Sequence, residues 1–555
     1  MGNAGAVARD EDIASDFPVL IAGGGLVGLA TAAFLAQHDV AALVVERMPA
    51  PSPLPRAAHF HLRTLELLRA LGVEEEVRRR SEREFVPEGA IISMDSLAGE
   101  KLADIVPGLN VGVDDQLSPC RRLFVTQPGL EAILRRRAGE AGAQVIAGRE
   151  ITAVEQDGDG VTAIVNDVES GTERRLRADF LVGADGAHST VREAAGIPFD
   201  GRGVFSNSIT IYFTADLAPQ MLGKPLSVIY VNNPLFGGFF RLAKDCQSGF
   251  LVVNTVGDPR TNPDAANAAG DTSVERMVEL VRAGAGVPDL DVRIDGVARW
   301  RASSDVARRY HDGRILLAGD AAHVMPPNGG FGGNTGVQDA YDVAWKLAYV
   351  VKGVADPALL STYDAERRPV GKFTVEQAYT RYVTRTAPYL TADDLQPFVA
   401  DLEIELGYVY RSPAIVPDQH AHVDENGHDD PRATRARPGS RAPHLWIDRD
   451  GRRCSTLDLF GRNFVVLAGA DGAAWCEGAP AAATTVPGVA VDVHQVGGAG
   501  LPTRDGSFVD AHDVSPTGAV LVRPDGFVAW RSRSGSDHPA EALATALPTA
   551  LMHHG

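Results

Sequence analysis

Cysteine is scarce: Cys120, Cys246, Cys454 and Cys476 are the only four in a chain of 555 residues. That is too few for a disulfide scaffold, and none forms the C-x-x-C pair used in metal or thiol chemistry, so a reducing cytoplasm is the expected compartment. Positive charge is also in deficit. The 53 Lys and Arg are outnumbered by 72 Asp and Glu, a net charge of -19. A surface of that sign repels phosphates and anionic lipid, which argues against nucleic acid or membrane partners. No apolar run approaches the roughly 18 residues a membrane span requires. Residues 1–15 lack the basic-then-apolar layout of a secretion signal, and Ala6 stands where a myristoylation motif carries Ser or Thr. Internal repeats and low-complexity runs are missing too. What remains is globular in composition, 45% apolar and 23% charged. At roughly 150 residues per domain the chain has room for three or four domain-sized units.

The apolar run from Phe17 to Ala22 reads as a buried parallel strand, Leu26 to Gln37 as a helix and Ala42 to Glu46 as a second strand, which together make a β-α-β unit. Helices are expected at Arg63–Leu71 and from Pro128 to Gly139, the latter with Pro at its first turn. Short alternating segments between Asp-Gly turns predict sheet from about 144 to 182, and longer β-rich pieces predict an antiparallel sheet from 203 to 300. A buried strand returns at Arg314–Ala318, followed by a Gly-rich loop and a helix expected over Asn334–Val351. Beyond a Pro-rich and charged connector, strands are expected at Phe464–Leu467, Val489–His494 and Gly518–Val522, the last joined by the turn Arg523-Pro524-Asp525-Gly526 to Phe527–Trp530.

Three motifs carry chemistry. Gly23-Gly24-Gly25-Leu26-Val27-Gly28 matches G-x-G-x-x-G between strand and helix. Gly23 allows the tight turn, Gly25 lets backbone approach a pyrophosphate at the helix N-terminus, and Gly28 lets helix pack on strand. Glu46, eighteen residues after Gly28 and followed by Arg47, is placed to accept hydrogen bonds from a ribose. The second motif is Gly183-Ala184-Asp185-Gly186; taken alone it reads as a turn, with Ser189 an ordinary helix cap. The third runs from Gly319-Asp320 through Pro326-Pro327-Asn328-Gly329-Gly330-Phe331-Gly332-Gly333-Asn334 to Gly336. It pairs a carboxylate at a strand end with uncovered backbone amides at a helix start, a loop suited to lie against a ligand.

In these motifs, over about residues 17 to 385, the sequence resembles the FAD-dependent aromatic hydroxylases, single-component flavoprotein monooxygenases of the para-hydroxybenzoate and phenol hydroxylase type. Within that family it looks closest to actinobacterial oxygenases that tailor aromatic polyketides. The resemblance implies an α/β fold in which a Rossmann-like FAD-binding domain, residues 16–400, interleaves with a substrate-binding β-sheet inserted at about 76–120 and 203–300. A loose tail over 1–15, a connector over 401–439 and a thioredoxin-like domain over 440–555 complete the expected organisation. By the same resemblance, Arg56 lies near the FAD pyrophosphate and the path of a mobile flavin, and Gln127 binds FAD. Asp185 and Gly186 serve FAD and the pyridine nucleotide region. Asp320 is expected to hold the ribityl chain through a buried carboxylate, and Pro327 with the backbone of Gly332, Gly333 and Asn334 lines the flavin ring.

The implied activity is hydroxylation of a polycyclic phenolic or polyketide ring through a flavin C4a-hydroperoxide, with non-covalent FAD, O₂ and NADPH or NADH as a transient reductant. A Baeyer-Villiger oxygenase on the same scaffold is the alternative, and a non-catalytic flavin-binding assembly protein is the second. No residue declares itself as a catalytic base: Arg56 and Tyr212 are candidates, with His59 and His61 beside them. Two features depart from the family pattern. Asp342 replaces the usual Asn on what reads as a helix flank, and the C-terminal domain has no C-x-x-C, so Cys454 and Cys476 read as core residues and the domain as structural or as a homodimer contact.

Overall fold

The apolar run that opens the first motif lies in the middle of a sheet, where its lack of polar alternation belongs. Asp16–Ala22 pairs in parallel with Ala42–Glu46 on one side and Glu173–Gly183 on the other, and the parallel order continues outward through Gln144–Ala147 and Ile315–Leu317. An antiparallel hairpin, Arg149–Gln156 with Val161–Asp167, joins Glu173–Gly183. The helices Leu26–Gln37, Gln127–Glu140 and Phe331–Val351 cover this sheet and bury its Val, Leu and Ile side chains. The computed structural model describes residues 16–52, 54, 58–221, 223–224, 226–257, 262–390, 393–418, 427–498 and 500–553.

A second sheet of eight strands stands beside the first, in the order His323–Val324, Arg293–Ala307, Phe199–Thr214, Ser248–Val256, Phe236–Leu242, Leu226–Asn232, Ala90–Met94 and Lys101–Val106. Its pairings are antiparallel except that of Leu226–Asn232 with Ala90–Met94. Alternation sorts its side chains to two faces. Ile209, Ile211, Phe213, Leu251 and Val253 pack with Met277, Leu280 and Val281 of the helix Val274–Ala285, while Tyr212, Phe239, Phe250 and Trp300 lie on the opposite face.

The C-terminal part holds a four-stranded sheet, Val491–Gln495, Phe464–Ala468, Ala519–Val522 and Val528–Ser532, with only the first pair parallel. A three-stranded sheet of Arg452–Ser455, Trp446–Arg449 and Thr503–Asp505 lies beside it. Trp345, Tyr349 and Leu359 share one apolar cluster with Phe464, Trp475 and Leu521, so the C-terminal sheet is packed on the helix Phe331–Val351. Cys454 and Cys476 are half-buried at the margins of the two C-terminal clusters, and both are free thiols.

A seam of buried charge crosses the same contact. Arg523 donates to Glu366 Oε1 at 2.7 Å and Oε2 at 2.8 Å, and Lys346 lies 2.7 Å from Glu366 and 2.6 Å from Asp342. Asp525 also pairs with Arg523. Although three carboxylates meet here, Lys346 and Arg523 supply the positive charge a metal ion would otherwise bring. Asp342, expected on a helix flank, is therefore a core residue at 1% exposure. Burial, only partly offset by Lys346, pushes its carboxyl up to about 7. A carboxyl whose folded pKa exceeds its unfolded value of 3.8 keeps its proton in the native state, so its contribution favours folding at low pH and is lost as pH rises from about 4 to 7. Asp342→Asn should consequently gain stability relative to the parent by about 1 kcal/mol or more at pH 8, with a smaller gain at pH 5. Urea unfolding at the two pH values checks this; a variant that loses more stability at pH 8 than at pH 5 would contradict it.

Candidate functional site

The glycine-bearing motifs meet at the first turn of Leu26–Gln37. Gly23 adopts φ +97°, and a Cβ there would run into the carbonyl of Ala184 and lie 3.1 Å from Asp185 Cα. A Cβ on Gly28 would overlap the Gly23 carbonyl. Val27 wedges against Gly319 and Gly336, where added Cβ atoms would stand 2.7 and 2.6 Å from its Cγ2. Strand, turn and loop thus approach at distances only glycine permits. Gly25 differs: its nearest potential contact is Glu131 Oε1 at 3.7 Å, and as N-cap it offers no side chain to the helix amides. Space is thus left beside Gly25 at the start of the helix, while Leu26 itself is buried in the core.

Carboxylates surround this turn. Glu46 accepts from Gly24 N–H at 2.6 Å through Oε2 and from Met48 N–H at 2.7 Å through Oε1; Arg47 beside it is exposed. Gln127 donates to Glu131 Oε1 at 2.7 Å, which brings it to the Gly25 side of the turn. Asp185 accepts from Ser189 Oγ at 2.5 Å and Val191 N–H at 3.2 Å, burial pushes its carboxyl up, and Gly186 follows at φ +85°. Asp320 corrects its expectation. Its carboxylate is exposed rather than buried, because the one-turn helix Gly319–Ala321 buries the residues on either side of it and turns residue 320 outward. Arg56 lies outside the described residues.

The Gly-rich loop is held from behind. The helix begins at Phe331, three residues before its expected start, with Gly330 as a left-handed N-cap at φ +72°. Asn334, expected to line a ligand, turns its side chain inward: Nδ2 donates to the carbonyls of His59 at 2.8 Å and Gly330 at 2.7 Å, and Oδ1 accepts from His61 N–H at 2.9 Å. Its backbone N–H is taken up by the first turn of the helix, so the amides left at the helix start are those before it, at half-buried Gly332 and Gly333, with exposed Pro327 nearby. Asp339, fully buried, accepts from Gly319 N–H at 3.1 Å and Arg367 Nε at 2.8 Å, and His323 Nε2 lies 2.6 Å away. Burial opposes its charge, but Arg367 and His323 hold the carboxyl below its ordinary value. His61 is a poor base: burial lowers its pKa to about 3, and Nε2 hydrogen-bonds the Gly329 carbonyl at 3.0 Å.

The aromatic face of the second sheet fronts this loop. Tyr212 is buried on it opposite Phe250, and Arg241 stands opposite Phe250 on the other side. Tyr230 is opposite Phe239, and its hydroxyl receives a 3.4 Å hydrogen bond from Asn328 Nδ2 on the loop. Burial raises the Tyr230 pKa, while Arg385 works in the other direction. Sequence reasoning missed Tyr230, Asn328, Arg241 and Arg385. The strand alternation around Tyr230 and Arg241 was the available signal, but alternation alone does not say which face meets a ligand.

A glycine turn open at a helix N-terminus, a strand-end acid and a second glycine loop at a switch in strand order define a dinucleotide-binding α/β protein. Residues 16–378 match the FAD binding domain family, and residues 435–552 match the C-terminal domain of aromatic-ring hydroxylases. The chain is 49% identical to 4-methyl-5-nitrocatechol 5-monooxygenase of Burkholderia sp, over 97% of this chain and 98% of that one. It is 37% identical to tetracenomycin A2 monooxygenase-dioxygenase of Streptomyces glaucescens, over 97% of each. The crystal structure of aklavinone-11 hydroxylase with FAD and aklavinone superposes with a TM-score of 0.89 at 36% identity, covering 97% of this chain and 99% of that one. The chain belongs to the FAD-dependent aromatic-ring hydroxylases, and it is an FAD-dependent monooxygenase.

Proposed function

We propose that the protein hydroxylates a phenolic ring, with FAD held non-covalently and NADPH or NADH docking transiently. The observation that carries the site assignment is the open helix N-terminus at Gly25, a cradle that any Cβ would begin to fill, with Glu46, Gln127, Asp185 and Asp320 around it. These residues fit the cofactor. The amides at Gly25 and Leu26 would bind the pyrophosphate, Glu46 the ribose and exposed Asp320 the ribityl hydroxyls. The amides of Gly332 and Gly333 would face the ring, with Asn334 holding the loop from behind. Bound FAD supplies the redox chemistry with NAD(P)H and O₂.

The chain's own residues then bind, orient and exclude water. The face bearing Tyr212, Phe239, Phe250 and Trp300 would hold an aromatic ring against the loop, and Tyr230, positioned by Asn328, would contact a substrate hydroxyl. Asp339 and Arg367 act through the loop they hold. The relatives point to two substrate sizes, a nitrocatechol and a polycyclic polyketide. We keep the polycyclic phenol as the first reading and take the small acidic phenol as the second, favoured by the identity of 49% and by an unpaired cation on the aromatic face.

The C-terminal unit, residues 440–555, is read as thioredoxin-like, on the support of its strand order and the helix that joins its parallel pair. Its role is read as structural or as an oligomer contact, without redox chemistry. Among the described residues no helix is long and apolar enough to cross a membrane, and a cytoplasmic enzyme is the reading we adopt. The substrate assignment is tested by supplying holoenzyme with NADPH, then NADH, and a panel of nitrocatechols and polycyclic hydroxyquinones. One phenol class should accelerate NAD(P)H oxidation and yield a product heavier by one oxygen. Equal, slow oxidation with every compound would refute it.

A further inference from the structure

Arg241 is 5% exposed and makes no ion pair among the described residues. Its Nε and Nη2 are enclosed without a hydrogen-bond partner. The guanidinium is wedged between two rings, 4.1 Å from the centroid of Phe85 and 4.0 Å from that of Phe124. The acid that bears on it, Glu84, is otherwise engaged: its carboxylate accepts from Thr126 N–H at 2.7 Å and Thr126 Oγ1 at 3.0 Å and pairs with Arg80. His59 packs on the same Phe124 ring, 4.9 Å between centroids, and its buried Nε2 is also without a partner. A buried, unpaired guanidinium is costly, and burial alone does not explain why an arginine stands there.

Its position supplies a reason. Arg241 pairs with Phe250, which pairs with Tyr212, so all three share the aromatic face that meets the Gly-rich loop. A guanidinium stacked between two rings, with N–H donors that no protein group satisfies, suits a ligand that brings an oxygen anion to its edge. We propose that Arg241 is a specificity-determining residue that binds an ionised oxygen of an acidic aromatic substrate, the phenolate of a nitrophenol or of an acidic polyphenol, with His59 beside it. This rests on the monooxygenase reading of the same face.

The test uses FAD-loaded, oxidised enzyme without NAD(P)H and two probes of similar shape at pH 8: 4-nitrocatechol, an anion, and catechol, which is neutral. Binding is followed by visible difference spectra for 4-nitrocatechol and by perturbation of the flavin spectrum for catechol. The parent should bind 4-nitrocatechol at least about tenfold more tightly than catechol, a difference of ~1.4 kcal/mol. Arg241→Met should weaken 4-nitrocatechol by about tenfold or more and catechol by less than about threefold, and Arg241→Lys should recover part of the loss. The melting temperature of apo Arg241→Met should be unchanged or higher, because an unpaired buried charge has been replaced by an apolar chain. Equal affinity for the two probes in the parent, or equal loss of both in the Met variant, overturns the proposal. So does a fall in apo melting temperature with loss of FAD, which marks the arginine as structural. If catechol is still hydroxylated in any of these cases, the monooxygenase reading stands; a holoenzyme that binds neither probe and hydroxylates no phenol overturns both.

Discussion

Gly25→Val is expected to fold as an apoprotein and to lose more than about a hundredfold in FAD affinity, or ~2.7 kcal/mol. The backbone at Gly25 is extended, at φ -81° and ψ -168°, which valine adopts without strain, and the nearest atom to a new Cβ is 3.7 Å away. The variant side chain would occupy the space through which a pyrophosphate reaches the helix amides. Asp320→Ala should have a smaller effect, about tenfold, because it deletes hydrogen bonds to sugar hydroxyls and leaves the phosphate cradle open. Titration of FAD into each apoprotein, with circular dichroism as the control for folding, measures both. An unchanged dissociation constant for Gly25→Val would remove the pyrophosphate from this turn.

The second large effect is on stability. Glu366→Ala leaves Lys346 and Arg523, both wholly buried, without the carboxylate that joins them. Breaking a buried charge network from one side costs roughly 3 to 5 kcal/mol. Glu366 is held down to about 2 by Arg523 and Lys346 against the opposing effect of burial, so it is charged at neutral pH, and its loss leaves Lys346 with Asp342 alone and Arg523 with Asp525 as its close carboxylate. Its neighbour Arg367 bonds Asp339 and through it Gly319, so loosening the seam should also weaken FAD binding. Urea unfolding should show the destabilisation; a change below about 1 kcal/mol would mean the seam contributes little.

The parts of this architecture that were legible in the sequence are those set by neighbours along the chain. Asp16–Ala22, Leu26–Gln37 and Ala42–Glu46 follow from an unbroken apolar run, a glycine turn and a helix-forming stretch, and the structure places them within a residue of expectation. The C-terminal strands follow from the same kind of local pattern. The start of the helix Phe331–Val351 was misplaced because Gly332 and Gly333 are poor helix formers, and tertiary packing overrides that preference. Asp342 was misread because Arg523, 3.8 Å away, lies far along the chain, and an Asp-Lys pair four residues apart on a helix, as Asp342 and Lys346 are, usually faces water. Asp320 was expected to be buried with the ribityl role that the resemblance implies, but the one-turn helix at 319–321 rotates it outward. For Arg241 and Tyr230 the only local signal was strand alternation, and a polar residue in an alternating strand ordinarily marks the solvent face. Only the juxtaposition of that face with the Gly-rich loop gives them a chemical setting.

The most direct test of the account follows the oxygen. Holoenzyme is supplied with NADPH, ¹⁸O₂ and the phenol that most accelerates NADPH oxidation, and the product is analysed by mass spectrometry and NMR. The account predicts one labelled atom in a new ring hydroxyl, with the flavin released intact by acid precipitation. Label in a ring-expanded ester would assign the Baeyer-Villiger outcome instead, and unlabelled phenol recovered with the FAD still oxidised would contradict monooxygenase activity altogether.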